Sequence, residues 1–180
     1  MSQEPHELHE RAERGREDTT LARVTITMAI LAVLVATVSL LGHRAHTEEL
    51  LQQTKATDHW AYYQAKNIRR HTYELFLDLL SVVEVKNTEG AGQIKEKYGR
   101  EIDRYKAEQK KIEEQARDFE SDTERARKRA DRFDLAEGFL EAALVITSIT
   151  LLTRRRFFWR FGIALGLVGV VVAATGFRVH

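Results

Sequence analysis

Residues 24–41, VTITMAILAVLVATVSLL, run for eighteen positions without a charge. At a helical rise of about 1.5 Å per residue the run is about 27 Å long, close to the hydrocarbon thickness of a bilayer. The 23 residues before it mix acids with bases, and no small-x-small cleavage site follows in GHRAHTEE. An uncleaved membrane anchor is therefore expected rather than a signal peptide.

Two further spans are read towards the other end. Phe157 to Phe177 (FFWRFGIALGLVGVVVAATGF) is interrupted only by Arg160 near its start. Leu135 to Thr153 (LAEGFLEAALVITSITLLT) is weaker because it carries Glu137 and Glu141, but Arg154, Arg155 and Arg156 stop it and the last span needs a partner. Arginine in short loops sets orientation. Arg11, Arg14, Arg16 and Arg23 precede the first span, and Arg154, Arg155, Arg156 and Arg160 fall on the same side. The stretch from Gly42 to Asp134 is also basic near its ends, but it is too long for the rule to count. The expected topology puts the tail and the arginine loop in the cytoplasm and the long segment outside.

Composition agrees with long helices and few turns. There is one proline, 31% of residues are charged and 43% hydrophobic, and the two classes are segregated along the chain. A net charge of +1 supplies no global field to attract nucleic acid. The lack of cysteine excludes disulfides, thiolate metal sites and cysteine nucleophiles.

The long charged segment reads as a helical hairpin. Thr47, Leu51, Thr54, Asp58, Ala61, Ala65, Ile68, Thr72, Leu75, Leu79 and Val82 recur at alternating steps of four and three. Tyr98, Ile102, Tyr105, Gln109, Ile112, Ala116, Phe119, Thr123, Ala126, Ala130 and Phe133 do the same. This is the coiled-coil repeat, and each arm is about 53 Å long. Gly90 and Gly92 in NTEGAGQ (87–93) suit a turn between the arms. The expected fold is all-α: a polar tail at 1–23, spans at 24–42, 135–153 and 157–177, an antiparallel coiled-coil hairpin over 43–134 turning near 87–93, a basic loop at 154–156 and a short end at 178–180. Tyr73, Phe76, Leu77, Leu80 and Val83 lie off the first stripe, which makes that arm more apolar than one partner can cover. Self-association, or docking of another membrane or envelope protein, is expected there.

The stretch DHWAYYQAKNIRRH (58–71) combines three aromatics with three cationic residues and two histidines. Trp60 is 18 residues past Gly42, about 27 Å along a helix and too far for a headgroup belt. Single-stranded nucleic acid would stack on such residues, but near-neutral charge and external exposure argue against it. Packing is the better account: Trp60, Tyr62 and Tyr63 give area with a polar tip. Lys66, Arg69 and Arg70 are expected to pair with acids of the other arm, Glu113 and Glu114 among them. The core Asp58, Trp60, Tyr62, Tyr63, Gln64 and Lys66 (D-x-W-x-Y-Y-Q-x-K) resembles the signature of a bacterial membrane family known only as a domain of unknown function. That resemblance implies a bacterial inner-membrane protein with an anchor, a coiled-coil segment and two closing spans. It implies no chemistry.

Few residues suggest a site. His43 and His46 share a helical face as they leave the first span, and Glu137 and Glu141 enter the second on the same side of the bilayer. Together they would offer imidazole and carboxylate to a divalent metal or a proton; the plainer reading is four hydrated interfacial groups. His6 and His9 repeat the spacing in the tail. Gly162, Gly166, Gly169 and Ala173 line one face of the third span, where small residues let helices approach in lipid. Trp159, Phe157 and Phe158 read as an interfacial anchor. No metalloprotease, phosphate-loop or nucleophile motif occurs, so no cofactor and no enzyme activity are expected. A self-associating scaffold or tether leads, with a sensor subunit or a small transporter using the two glutamates as alternatives.

Overall fold

The computed structural model describes residues 4–84 and 86–178, with side chains described at residue 19 and from residue 21 on. It consists of three helices: α1, Glu4–Val82; α2, Thr88–Thr153; and α3, Arg156–Gly176. Each contains an 18-residue window apolar enough to cross a membrane. The expected tail, first span and first arm are thus one helix, and the second arm and second span another. The side chains of His6, His9, Arg11, Arg14 and Arg16 lie outside the described residues. The chain divides into two compact units, residues 1–47 with 125–180 and residues 48–124.

The first unit holds the three segments long and apolar enough to cross a membrane, and its packing is compatible with helices in lipid. Its interior sets small side chains beside a few large ones: Ala45 of α1 and Ala130, Ala136 and Ala143 of α2 are buried together with Val24, Leu31, Val38, Phe133 and Leu140. Gly162, Gly166, Gly169, Ala173 and Gly176 form the buried face of α3. Large apolar residues such as Ile26, Ile30, Val33, Val145 and Val171 point outward. In water that distribution would waste hydrophobic area; in lipid it costs nothing, and close backbone approach supplies the attraction. The glycines show how close it is. A Cβ on Gly162 would lie 2.1 Å from Thr147 Oγ1, and one on Gly169 2.9 Å from Leu140 Cγ. Trp159 Nε1 donates to Thr27 Oγ1 at 3.1 Å, joining α3 to α1.

Between α2 and α3 the chain turns at two residues rather than three. Arg154 takes a left-handed conformation (φ 54°) and Arg155 is extended before the helix. Arg156, expected in the loop, is the first residue of α3.

In the second unit the two helical segments run antiparallel, with contacts pairing residue 60 with 120, 66 with 108 and 73 with 98. The stripe expected on α2 is the one that packs: from Tyr98 to Thr123 every member is buried or half-buried. The stripe expected on α1 is not. Leu51, Thr54, Asp58, Ala61, Ala65, Ile68, Thr72, Leu75, Leu79 and Val82 are all exposed. A second series at the same steps faces α2 instead, running Gln52, Ala56, His59, Tyr63, Lys66, Arg70, Tyr73, Leu77 and Leu80. The physical reason is that aromatic and long-stemmed residues bury more area than alanine or threonine while their polar ends find partners across the interface.

The break between α1 and α2 also differs from expectation. It falls at 83–87, and Gly90 and Gly92 lie inside α2. Asn87 decides this: its side-chain oxygen accepts from the Gly90 amide at 3.0 Å, capping the new helix. Asparagine is among the best N-caps, so the helix starts before the glycines can serve as a turn.

Candidate functional site

The richest side-chain chemistry in the second unit lies along the α1–α2 seam. Lys66 Nζ meets Glu108 Oε2 at 2.7 Å. The same ammonium stands 5.0 Å from the centre of the Tyr105 ring and 5.3 Å from that of Tyr62. The carboxylate raises the lysine's pKa, and the ammonium in turn holds Glu108 below its ordinary value. One helical step on, Arg70 donates to Gln109 Oε1 at 2.9 Å and to Asn67 Oδ1 at 2.8 Å. Gln109 closes the ring by donating to Asn67 Oδ1 at 3.1 Å. Buried Gln109 thereby has its amide satisfied on both sides, as a polar group inside a helical interface requires.

Aromatic packing flanks these polar groups. Tyr73 stacks on Tyr98 with centroids 4.7 Å apart and on Tyr105 at 5.9 Å, and Phe76 meets Tyr98 edge-on. The proximity of Tyr105 raises the Tyr73 phenol's pKa. Towards the other end, Trp60 Nε1 donates to Glu120 Oε1 at 2.8 Å and its ring lies edge-on to Tyr63. His59 packs on Phe119, over which Lys55 also sits.

The residues expected to bind a partner therefore divide. Trp60, Tyr63, Tyr73, Leu77 and Leu80 are half-buried, and the aromatic ones among them meet their own chain's side chains, so they do not form an outward face. Phe76 keeps 41% of its surface exposed while touching Tyr98; Tyr62 and Val83 are exposed. The cation pairing also differs. Lys66 does reach the other arm, but at Glu108, while Glu113 pairs with Arg117 on its own helix. Coulomb attraction favours the nearest acid, and a residue four positions away on one helix is a neighbour. Glu108 and Glu120 are partners that the repeat does not single out, whereas Gln109 is one of its members. The signal for Glu108 lay in the α2 repeat, since it adjoins Gln109.

At the end of the first apolar segment the four-residue candidate cluster does not assemble. His46 Nε2 instead meets Asp134 Oδ2 at 3.0 Å, with both side chains about half exposed. His43 and Glu141 are exposed and Glu137 is half-buried. Among the described residues no group of three or more histidines and carboxylates is placed to hold a metal ion. Helix phase explains the exchange: Asp134 neighbours Phe133, whose Cβ would stand 3.6 Å from a Cβ on Gly42, so it is Asp134 that reaches the α1 face carrying His46. Gly42 permits the approach, because a Cβ there would be 3.2 Å from Asp134 Oδ1. The expected packing glycines of α3 and Ala173 are all buried, and Arg154, Arg155 and Arg156 are exposed.

The chain belongs to the family described as a domain of unknown function (DUF4337), whose model matches residues 20–179. No curated protein and no solved structure matches it.

Proposed function

Proceeding from membership of a family without assigned chemistry, we propose that this is a non-enzymatic membrane scaffold. It projects residues 48–124 from the bilayer as an antiparallel coiled-coil hairpin and associates with further copies of itself. On this reading it is a multi-pass protein of the bacterial inner membrane with its N-terminus in the cytoplasm and the hairpin outside. Arg154 and Arg155 in the short connection, with Arg156 and Arg160 near the start of α3, support that orientation.

One observation carries the self-association. The part of α1 outside the apolar segments exposes Leu50, Leu51, Ile68, Leu75, Leu79 and Val82, each with more than half of its surface open. A lone helical pair in water would lose roughly 25 cal/mol for every Å² of such surface left uncovered. Scattered exposed leucines need no explanation, but large apolar residues recurring on one helical face, as Ile68, Leu75, Leu79 and Val82 do, support an interface.

The test is the mass of the full chain in lipid nanodiscs. Particles carrying two or more 20.7 kDa chains are expected at low protein-to-disc ratios. A single chain per disc at every ratio overturns the reading.

A further inference from the structure

The exposed face of α1 has a repeat that identifies its occupant. With Leu51 as a heptad a position, the exposed series occupies a and d while the series packed on α2 occupies b and f. At about 100° per residue the two stripes lie roughly 150° apart, nearly back to back. Residues 51–82 thus carry two coiled-coil seams, and α2 covers only one.

A narrow a/d seam is the complement of another helix rather than of lipid or of a sheet edge. The outer face of α2 is charged at nearly every position (KAEQKKIEEQARDFESDTERARKRADR), so it offers no matching apolar stripe. The α1 stripe itself does. Copies inserted in one bilayer with one topology all enter this segment from residues 24–41, so they begin the stripe at the same membrane face. Two such copies run parallel, and equal heptads meet in register. The flanking positions accept this arrangement: in a parallel pair Gln64 faces Arg69 and His71 faces Phe76 of the other copy, so these flanks oppose no like charges. In register Asp58 meets Asp58 of the other copy at an a position, a like-charge layer that costs stability and that the apolar layers at Ile68, Leu75, Leu79 and Val82 must offset.

We infer that a second copy of this chain covers the a/d face of residues 51–82, parallel and in register. The inference rests on the scaffold reading above and specifies its interface.

The chain has no native cysteine, so single cysteines report the pairing directly. Ala65→Cys and Leu79→Cys occupy a positions two heptads apart, and Lys110→Cys on the exposed side of α2 is the control. Oxidation of the full-length variants in membranes is expected to give covalent dimer at both 65 and 79. The control is expected to give at least about tenfold less, because disulfides need Cα atoms within about 7 Å. An antiparallel pair brings at most one of the two positions to its own copy. Cross-linking at neither position, or at only one, in a chain whose nanodisc mass is oligomeric overturns the inference and leaves the scaffold reading standing. A monomeric mass removes both. Ile68→Glu supplies a second readout. Ile68 is 67% exposed, so the helical content is expected to persist while the particle mass falls to one chain. Unchanged oligomeric mass in that variant contradicts the proposed face.

Discussion

Gly162→Leu is expected to separate α3 from α2. A Cβ at this position would stand 2.1 Å from Thr147 Oγ1 and 3.0 Å from the carbonyl oxygen of Ala143. Thr147 is fully buried, and its hydroxyl donates to that same carbonyl at 2.7 Å, so the side chain cannot swing aside without giving up a bond in an apolar interior. The backbone oxygen cannot move at all unless α2 does. Overpacking of a well-filled interior costs about 1–3 kcal/mol, and leucine adds three carbons beyond the Cβ already in collision. In detergent the apparent Tm should fall by roughly 2–12 °C, taking about 2–4 °C per kcal/mol for a chain of this size. Val168→Leu, on a face of α3 that is 44% exposed, serves as the control and should leave it unchanged. A Gly162→Leu protein as stable as the parent would show that the glycine face is not an interface.

Phe133→Ala should have the largest effect of any truncation in the first unit. Phe133 is among the bulkiest fully buried side chains, 2% exposed. Its ring meets Phe177 edge-on at 5.4 Å and fills the space that a Cβ on Gly176 would enter, with ring carbons 3.0 and 3.1 Å away. Removing the ring leaves a cavity bounded by glycine backbone and another aromatic, which cannot collapse without moving a helix. Losses of about 3–5 kcal/mol accompany such truncations. Denaturant unfolding of the purified chain measures the loss, and Phe133→Leu should restore most of it because it keeps the greater part of the volume. Equal stability of the alanine variant and the parent would contradict the packing described for this end of α3.

The sequence was legible where one physical effect dominated. Eighteen uncharged residues at 24–41 identify an apolar helix without reference to anything else. The α2 repeat was also readable, because apolar residues sit at its inward positions and charges nearly everywhere else. On α1 two stripes share one helix, and the more apolar of them was assigned to the partner in the same chain. The packed stripe includes His59, Lys66 and Arg70, residue types that read as surface when taken singly. They are inside because Phe119, Glu108 and Gln109 stand opposite, and no periodicity along α1 alone contains that information.

The turn and the charged boundary were missed for a similar reason. Gly90 and Gly92 have the freedom a turn needs, but freedom permits a turn without requiring one. Asn87 requires a helix start, through a single bond to the Gly90 amide. At the boundary, helical spacing offered a cluster of four ionisable residues beside the plainer reading of four hydrated groups, and neither contained the contact that forms. The angular positions of α1 and α2 about their axes brought Asp134 to His46 instead. Helix spacing fixes which residues share a face, while the rotation of one helix against another is set by packing around Gly42 and Phe133.

On the proposed topology the helical pair of residues 48–124 stands on the extracytoplasmic side of the membrane. A single cysteine at Gly92 tests it most directly, since Gly92 is exposed, lies just beyond the helix break, and has open space around the position of a Cβ. Intact cells carrying Gly92→Cys would be treated with a membrane-impermeant maleimide. Labelling at full extent without permeabilisation is the predicted result. Labelling only after permeabilisation would place the hairpin in the cytoplasm and contradict the envelope-scaffold reading.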